Sequence, residues 1–152
     1  MPEEDAIHLY ATHLWEQNDD AYLRLFDYLG DIDNFYYVNH SDPEHQPEGG
    51  DALASRDALA DQIAAAELVI VLSTQYLQNP ELIELQMTTA KRHGKPILAI
   101  EPFGAEAVPE KVKQMSDHVV EWYARKIVDG IKMLARGEEA HRYDTLDWPG
   151  DL

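Results

Sequence analysis

The sequence contains no cysteine among its 152 residues. A chain without cysteine has no disulfide framework, no thiolate nucleophile and no cysteine ligand for a metal ion. Its apolar runs are short, and none approaches the ~20 residues that a membrane-spanning helix needs. The first residues, Met1 to Asp5, are acidic, whereas a secretory signal peptide begins with basic residues. Together these absences predict a cytoplasmic protein that does not contact the membrane.

Basic residues are also scarce. Lysine and arginine total 12 against 29 aspartate and glutamate residues, which gives a formal net charge of −17. A surface of this charge repels the phosphates of nucleic acids and of anionic lipids, so a protein that binds either of them is not expected. The charge suits an adaptation to high salt or an ordinary acidic soluble protein, and the sequence leaves both interpretations open.

Five short apolar segments alternate with helical patterns along the chain. The strands are predicted at residues 6–12, 34–40, 67–73, 95–101 and 117–122. The helices are predicted at residues 21–30, 55–66, from Pro80 onward, 109–116 and 124–136. This alternation predicts a three-layer α/β domain with a parallel five-stranded sheet and helices on both faces. Right-handed crossovers then favour the flavodoxin-like strand order 2-1-3-4-5.

One domain is expected over residues 1–136, with residues 137–152 as an acidic C-terminal tail. In a sheet of this order, ligands bind beyond the carboxyl ends of the strands, near the switch between the first and third strands. The loop after the first strand contains no glycine, which argues against the phosphate loop of a flavodoxin. The third strand ends in Leu72-Ser73-Thr74, so the phosphoacceptor aspartate of a response-regulator receiver is missing.

A polar residue, Gln86, interrupts the apolar stripe of the helix that begins after the third strand. At ~100° per residue, Leu82, Ile83 and Ala90 lie within about a third of a turn of Gln86. A polar side chain in the middle of a core-facing stripe is costly unless it is hydrogen-bonded. From the residues alone, the first interpretation is a core glutamine that bonds to the backbone.

Two histidines, His40 and His45, bracket Ser-Asp-Pro-Glu in a loop and suggest a metal site. Two histidines without cysteine, or without a carboxylate at helical spacing, are a weak signal for a metal ion. Loop hydrogen bonding or substrate contact is the preferred interpretation, and no metal site is predicted. His93 follows Gln86 by two helical turns and is interpreted as a helix-end residue rather than a catalyst.

Several stretches together resemble the TIR-like proteins of the Thoeris anti-phage defence system. The stretches are YATHLWEQNDDAYLRLFDYL, NHSDPEHQP, LADQIAAAELVIVLSTQY, KRHGKPILAIEPFG and VVEW. The resemblance covers roughly residues 6–134. The Pro-Glu-His loop and the last two stretches are quite specific for this group, whereas the strand patterns alone are not.

The resemblance implies an enzyme that consumes NAD. On phage infection, members of this family cleave the nicotinamide–ribose bond and rebuild ADP-ribose into a cyclised or conjugated signal, which activates a separate effector protein. Cleavage leaves an oxocarbenium-like ribose. A carboxylate near the ribose hydroxyls can stabilise this positive centre and can also act as a base. The family's carboxylate is a glutamate in the pattern Glu-Ile-x-x-Ala, and this pattern here reads Gln86-Met87-Thr88-Thr89-Ala90.

The resemblance therefore implies that Gln86 occupies the catalytic position. Glutamine can bond to a ribose hydroxyl, but it carries no charge and accepts no proton at neutral pH, so weak turnover is expected. Three explanations stay open: an engineered exchange of glutamate for glutamine, a natural member that only binds, or a charge supplied by Glu84 or Glu81. Helical geometry counts against Glu84, which points ~160° away from Gln86.

The resemblance also implies residues that bind NAD as the substrate, and all of them lie at the end of one of the first three strands or in the loop that follows it. They are Thr12, His13, Trp15, Asn39, Ser41, Glu44, His45, Ser73 and Tyr76. The nearest basic candidates for a phosphate contact are Arg24, Arg56 and Arg92, and none stands out. The alternative function is a non-catalytic TIR-like module that binds a nucleotide or assembles with copies of itself or with another protein.

Overall fold

The structure is a computed structural model that describes residues 6–14, 19–41, 52–104 and 106–137, with only the backbone described for residues 52–56. Its strands are β1 (Ile7–Ala11), β2 (Tyr37–Asn39), β3 (Leu68–Leu72), β4 (Ile97–Ile100) and β5 (His118–Val120). Its helices are α1 (Asp20–Gly30), α2 (Ala52–Ala64), α3 (Ser73–Gln78), α4 (Pro80–Arg92), α5 (Glu110–Met115) and α6 (Ala124–Arg136).

The five strands form one parallel sheet in the order β2-β1-β3-β4-β5. This order is the predicted one, with β1 and β3 as neighbours at the point where the chain switches direction across the sheet. All five residues of β3 are 0% exposed, which is typical of an apolar strand covered on both faces. The carboxyl ends of β1, β3 and β4 therefore meet at one edge, called here the carboxyl edge.

Alternate side chains of the strands divide the core into two layers, since successive side chains point to opposite faces of a sheet. On one face, Leu9 and Ile70 pack with side chains of α1 and α6, such as Leu25. On the other face, Val71 packs with side chains of α2, α4 and α5, such as Met87. Helices thus cover both faces, as the sequence predicts for a three-layer α/β domain.

The helix ends follow the local sequence. At the start of α4, Pro80 occupies the first turn and the side chain of Asn79 accepts a hydrogen bond from Leu82 N at 3.2 Å. At the end of α6, Gly137 adopts a left-handed conformation with φ of 71°, which favours glycine. The longest helices, α2, α4 and α6, have 13 residues each, and no helix in the described ranges is long and apolar enough to cross a bilayer.

One helix differs from the sequence prediction. The third strand was expected to extend to Ser73, but β3 ends at Leu72 and Ser73 begins the six-residue helix α3. A helix this short spans less than two turns, so it contains too few apolar positions to produce a helical period. Its position matters for the site, because α3 directly follows the carboxyl end of the central strand.

Candidate functional site

Gln86 lies on the buried face of α4, against the segment that follows β1, and is 0% exposed. Its Oε1 accepts hydrogen bonds from Tyr10 Oη at 2.7 Å and from His13 N at 3.2 Å. Its Nε2 donates to His13 O at 2.9 Å and to Leu82 O at 3.2 Å. Because the backbone of His13 supplies one donor and one acceptor, the orientation of the amide is fixed. Gln86 therefore ties α4 to the carboxyl edge of the sheet at β1.

The Tyr10 hydroxyl is fully buried between Gln86 and His13. Its single hydrogen points to Gln86 Oε1, which can only accept. His13 Nε2 lies 3.3 Å from Tyr10 Oη and can bond to it only as a donor, so this ring nitrogen carries the hydrogen. Burial, together with a smaller contribution from Tyr22, raises the pKa of Tyr10 well above its ordinary value. The hydroxyl therefore stays protonated and keeps this order of donors and acceptors at physiological pH.

A second network is centred on Asp19, the residue before α1, which is 4% exposed. Its Oδ2 accepts from Leu14 N at 2.8 Å, and its Oδ1 caps α1 by accepting from Tyr22 N at 3.4 Å. Both carboxylate oxygens also accept from Gln75 Nε2 of α3, at 3.0 and 3.1 Å. A buried carboxylate is tolerated only when its oxygens are bonded in this way. Asp19 thus joins the segment after β1 to the start of α1 and to α3.

Thr12 joins α3 to the end of β1. Its hydroxyl donates to Gln75 Oε1 at 2.7 Å and accepts from Leu72 N at 3.1 Å. Next to Gln75 on α3, Ser73 Oγ is buried and has no hydrogen-bond partner in the part of the chain that the structure describes. Because a buried hydroxyl without a partner is costly, this position favours a polar group of a ligand or a water molecule.

The end of β2 reaches the same edge through Tyr22. Asn39 Nδ2 donates to Tyr22 Oη at 2.9 Å, and Ser41 Oγ lies 2.9 Å from the same hydroxyl. Ser41 N also donates to Asn39 Oδ1 at 3.0 Å. The Tyr22 ring meets the His13 ring edge-on, with 5.9 Å between centroids. Tyr22 therefore connects the segments that follow β1 and β2.

A family model described as "Thoeris protein ThsB, TIR-like domain" matches residues 10–107, which is more than half of the chain. The chain belongs to the ThsB TIR-like family. The matched range runs from β1 past β4 and includes Gln86, and membership indicates a role in anti-phage defence. No curated protein matches the chain.

Most of the site residues that the resemblance implied, the catalytic position included, lie at the carboxyl edge. Those that bond to one another or to a neighbouring side chain there are Gln86, Thr12, His13, Asn39 and Ser41. Ser73 begins α3 at the same edge, whereas the Tyr76 side chain packs against the apolar layer of α2 and α4. Trp15, Glu44 and His45 lie outside the described residues.

Four polar residues of this edge were not predicted as site residues, although two of them lie in the segments that follow the first and third strands. The four are Tyr10, Asp19, Tyr22 and Gln75. Tyr10 and Tyr22 fit an apolar strand and an amphipathic helix, so their hydroxyls gave no separate signal. Asp19 alone carried one, since an aspartate before a helical pattern is a typical N-cap.

The alternative carboxylates on α4 lie away from Gln86. Glu84 forms an ion pair with Lys111 of α5, with 3.4 Å between Oε2 and Nζ, and Glu81 is exposed. Neither bonds to the Gln86 network within the described ranges, so the explanation that one of them supplies the missing charge loses support. His93 caps the end of α4, where its N–H bonds to the carbonyls of the last turn, as its interpretation as a helix-end residue requires.

His40 pairs with His8 of β1. His8 Nδ1 and His40 Nε2 are 2.8 Å apart, and the ring centroids are 5.0 Å apart. These distances place both nitrogens close to the line between the two rings, which is the arrangement of an N–H···N hydrogen bond. His45, the other histidine of the suggested metal site, lies outside the described residues.

The His8–His40 pair makes stability sensitive to acid. Burial, and next the neighbouring His8, lowers the pKa of His40 below its ordinary 6.5. The folded state then binds fewer protons than the unfolded state below about pH 6.5, so stability falls as the pH falls through this range. We expect His40→Gln to lose less stability than the wild type between about pH 7 and about pH 5.5. Thermal denaturation at both pH values measures this, with His93→Gln as the matched control, and equal losses in wild type and His40→Gln would contradict it.

Proposed function

We propose that this TIR-like domain binds NAD at the carboxyl edge and cleaves its nicotinamide–ribose bond slowly. The ADP-ribose part then becomes a signal, cyclised or conjugated, that activates a separate effector of the anti-phage system. On this proposal the protein works in the cytoplasm, NAD is its substrate, and the effector is reached through the signal molecule rather than through direct contact.

The observation that carries the proposal is the location of residue 86. It takes the glutamate's place in the family pattern, and its side chain bonds to the backbone of His13 at the carboxyl edge, where parallel α/β sheets bind their ligands. Departure of nicotinamide leaves positive charge on the ribose, which a fixed negative group stabilises strongly in a site with little water. Gln86 offers a dipole instead of that charge, which accounts for the slow reaction in the proposal.

The polar side chains at the carboxyl edge suit a polar, uncharged sugar. Thr12, Asn39 and Ser41 present hydroxyl and amide groups, and the Ser73 hydroxyl lies buried at the end of β3. Gln86 itself is covered by the segment after β1 and is fully buried. A ribose can therefore touch Gln86 only if residues 12–14 shift from this position, so loop movement belongs to the proposed binding step.

One observation supports a second function, a TIR-like module that binds a nucleotide or assembles with other chains without catalysis. Both hydrogens of the Gln86 amide are bonded to backbone carbonyls, and its oxygen accepts two further bonds. An amide satisfied in this way is an internal structural link. In this second function, position 86 stabilises the carboxyl edge and the reaction is absent.

Nicotinamide release by Gln86→Glu separates the two functions. A carboxylate at this position restores the charge and the base, so we expect the variant to release nicotinamide from saturating NAD about tenfold faster or more. The assay is chromatography of nicotinamide at about pH 8, at which a buried carboxyl of raised pKa has begun to ionise, and at a temperature at which circular dichroism shows the variant folded.

Two control variants test whether a gain in nicotinamide release comes from the charge at position 86. Gln86→Ala removes the amide without adding charge and is expected to show no gain in nicotinamide release. Glu84→Gln removes a half-buried carboxylate, paired with Lys111, from the same helix and is expected to leave release unchanged. A folded Gln86→Glu variant that binds NAD but releases nicotinamide no faster than the wild type would refute the enzyme and favour the binding module.

A further inference from the structure

The proposed ligand carries a pyrophosphate, which has to be held by a chain of net charge −17. Two phosphate groups that approach such a chain are repelled unless a cation stands near them. A phosphate contact of this kind rests on the proposed function, because it concerns the part of the ligand that lies beyond the ribose.

The structure separates the three arginines that the sequence suggested for this contact. Arg92 is the last residue of α4, which leads into the amino end of β4, so it lies at the opposite edge of the sheet from Gln86. The side chain of Arg56 lies outside the described residues. Arg24 belongs to the first half of α1, the helix that begins at the carboxyl edge. Arg24 is therefore the candidate on the side where the ligand is expected.

The Arg24 guanidinium lies over an aromatic ring at this edge. Its Cζ is 4.2 Å from the centroid of Phe103, which follows β4. Phe103 in turn packs on Trp122, with 5.0 Å between ring centroids, and its N–H donates to Thr74 Oγ1 at 3.1 Å. Trp122 is fixed by a hydrogen bond of 2.8 Å from Nε1 to Glu101 O. The arginine head thus lies on a platform that is itself anchored to β4 and α3.

Arg24 makes no ion pair with any carboxylate in the described part of the chain. Asp20 and Asp27 lie one turn before and after Arg24 on α1, at spacings that allow an ion pair. Neither of them pairs with Arg24. Another cation near the end of β5, Lys126, is already paired with Glu121. Among the described residues, the Arg24 guanidinium is therefore not held by a carboxylate.

A continuous row of contacts links Arg24 to Gln86. Gln86 bonds to His13, and the neighbouring Thr12 bonds to Gln75 of α3. Thr74, which precedes Gln75, accepts from the backbone of Phe103 beneath Arg24. The row crosses the ends of β1, β3 and β4, so Gln86 and Arg24 are both connected to the carboxyl edge along which the ligand is proposed to lie.

We propose that Arg24, whose guanidinium lies over the Phe103 ring, binds a phosphate of the dinucleotide's pyrophosphate. The contact with Phe103 is made through Cζ at 4.2 Å from the ring centroid, and no ion pair with a described carboxylate uses the N–H groups of the guanidinium. Those groups match two oxygens of one phosphate, a pairing that the point charge of a lysine does not reproduce. Arg24 is a binding residue in this proposal and takes no part in bond cleavage.

The experiment compares Arg24→Gln with Arg92→Gln, which removes the same side chain from an exposed position at the other edge. Calorimetry measures the dissociation constants for NAD and for nicotinamide riboside, which lacks the phosphates. We expect Arg24→Gln to weaken NAD binding about tenfold and to leave riboside binding unchanged, with Arg92→Gln equal to the wild type for both. Arg24→Lys, which keeps the charge without the planar fork, is expected to fall between wild type and Arg24→Gln.

The outcomes distinguish this inference from the function on which it rests. If the wild type binds NAD and Arg24→Gln binds it equally well, the phosphate contact is refuted while the proposed function stands. If Arg24→Gln weakens NAD and riboside binding alike, its effect is structural and the phosphate contact is also refuted. If the wild type binds neither compound, both proposals fall together.

Discussion

Replacing Asp19 by alanine is expected to lower the free energy of unfolding by about 3 kcal/mol. The carboxylate is buried and accepts hydrogen bonds from Leu14 N, from Tyr22 N and from the side chain of Gln75. Loss of an N-cap alone costs roughly 1 kcal/mol, and each buried donor left without a partner adds about 1–3 kcal/mol. Urea unfolding followed by circular dichroism and extrapolated linearly to water measures the loss.

The neighbouring residue provides the matched control for this prediction. Asp20 is the first residue of α1 and is exposed, so Asp20→Ala removes the same side chain but only a favourable interaction with the helix dipole, about 0.5 kcal/mol. Asp19→Asn keeps the cap through its remaining oxygen, which can also accept from Gln75, and is expected to fall between the two, because the amide nitrogen cannot accept from Leu14 N. Equal losses for Asp19→Ala and Asp20→Ala would show that Asp19 does not hold the carboxyl edge together.

The fold could be predicted because its elements leave local patterns. The continuous apolar run of β3 reflects burial of the strand on both faces. The amphipathic spacing of α1 and α6 reflects burial of each helix on one face. Parallel order then followed from the alternation of strands and helices and from the handedness of their connections. The short helix α3 escaped prediction because six residues carry no helical period, and the strand ends differed because pairing partners, not composition, decide where a strand stops.

The site was predictable in part. The pattern around Gln86 gave its position, and strand order gave the edge at which it lies. Its partners were not predictable, because the bonds to Tyr10 and to the backbone of His13 join residues more than seventy positions apart. Asp19 and Gln75 meet for the same reason, through the packing of α3 on the segment after β1. Hydrogen bonds of this kind depend on the folded path of a loop, which leaves no periodic trace in the sequence.

Gln86→Glu is expected to destabilise the fold by about 3 kcal/mol or more at about pH 8, the cost of a buried charge without compensation. The amide donates to His13 O at 2.9 Å and to Leu82 O at 3.2 Å. An ionised carboxylate has no hydrogen to donate, so one of its oxygens faces two carbonyl oxygens and is repelled by both. The bonds from Tyr10 and His13 N to the other oxygen persist but were already made by the amide, so they offset little of this loss.

The sign of the pH dependence follows from the same contacts. Full burial and the two carbonyls raise the pKa of the introduced carboxyl above its unfolded value of about 4.3. Between that value and the folded pKa the folded state holds the extra proton, so the stability of the variant falls as the pH rises. The matched control is Gln86→Met, which loses the same bonds but does not ionise, and its loss relative to the wild type is expected to be constant from about pH 5 to about pH 8.

Chemical unfolding of Gln86→Glu, Gln86→Met and the wild type across this pH range therefore tests whether position 86 is built for an amide. A loss for Gln86→Glu that is constant with pH would mean that its carboxylate has turned away from the carbonyls of His13 and Leu82. In the proposed enzyme, the activity and the stability of Gln86→Glu oppose each other, because the ionised form that supplies catalytic charge is the form that the folded protein tolerates least. Nicotinamide release by Gln86→Glu should then rise with pH while its stability falls. Bound NAD should reduce the loss, since ribose hydroxyls donate to the carboxylate where the carbonyls cannot.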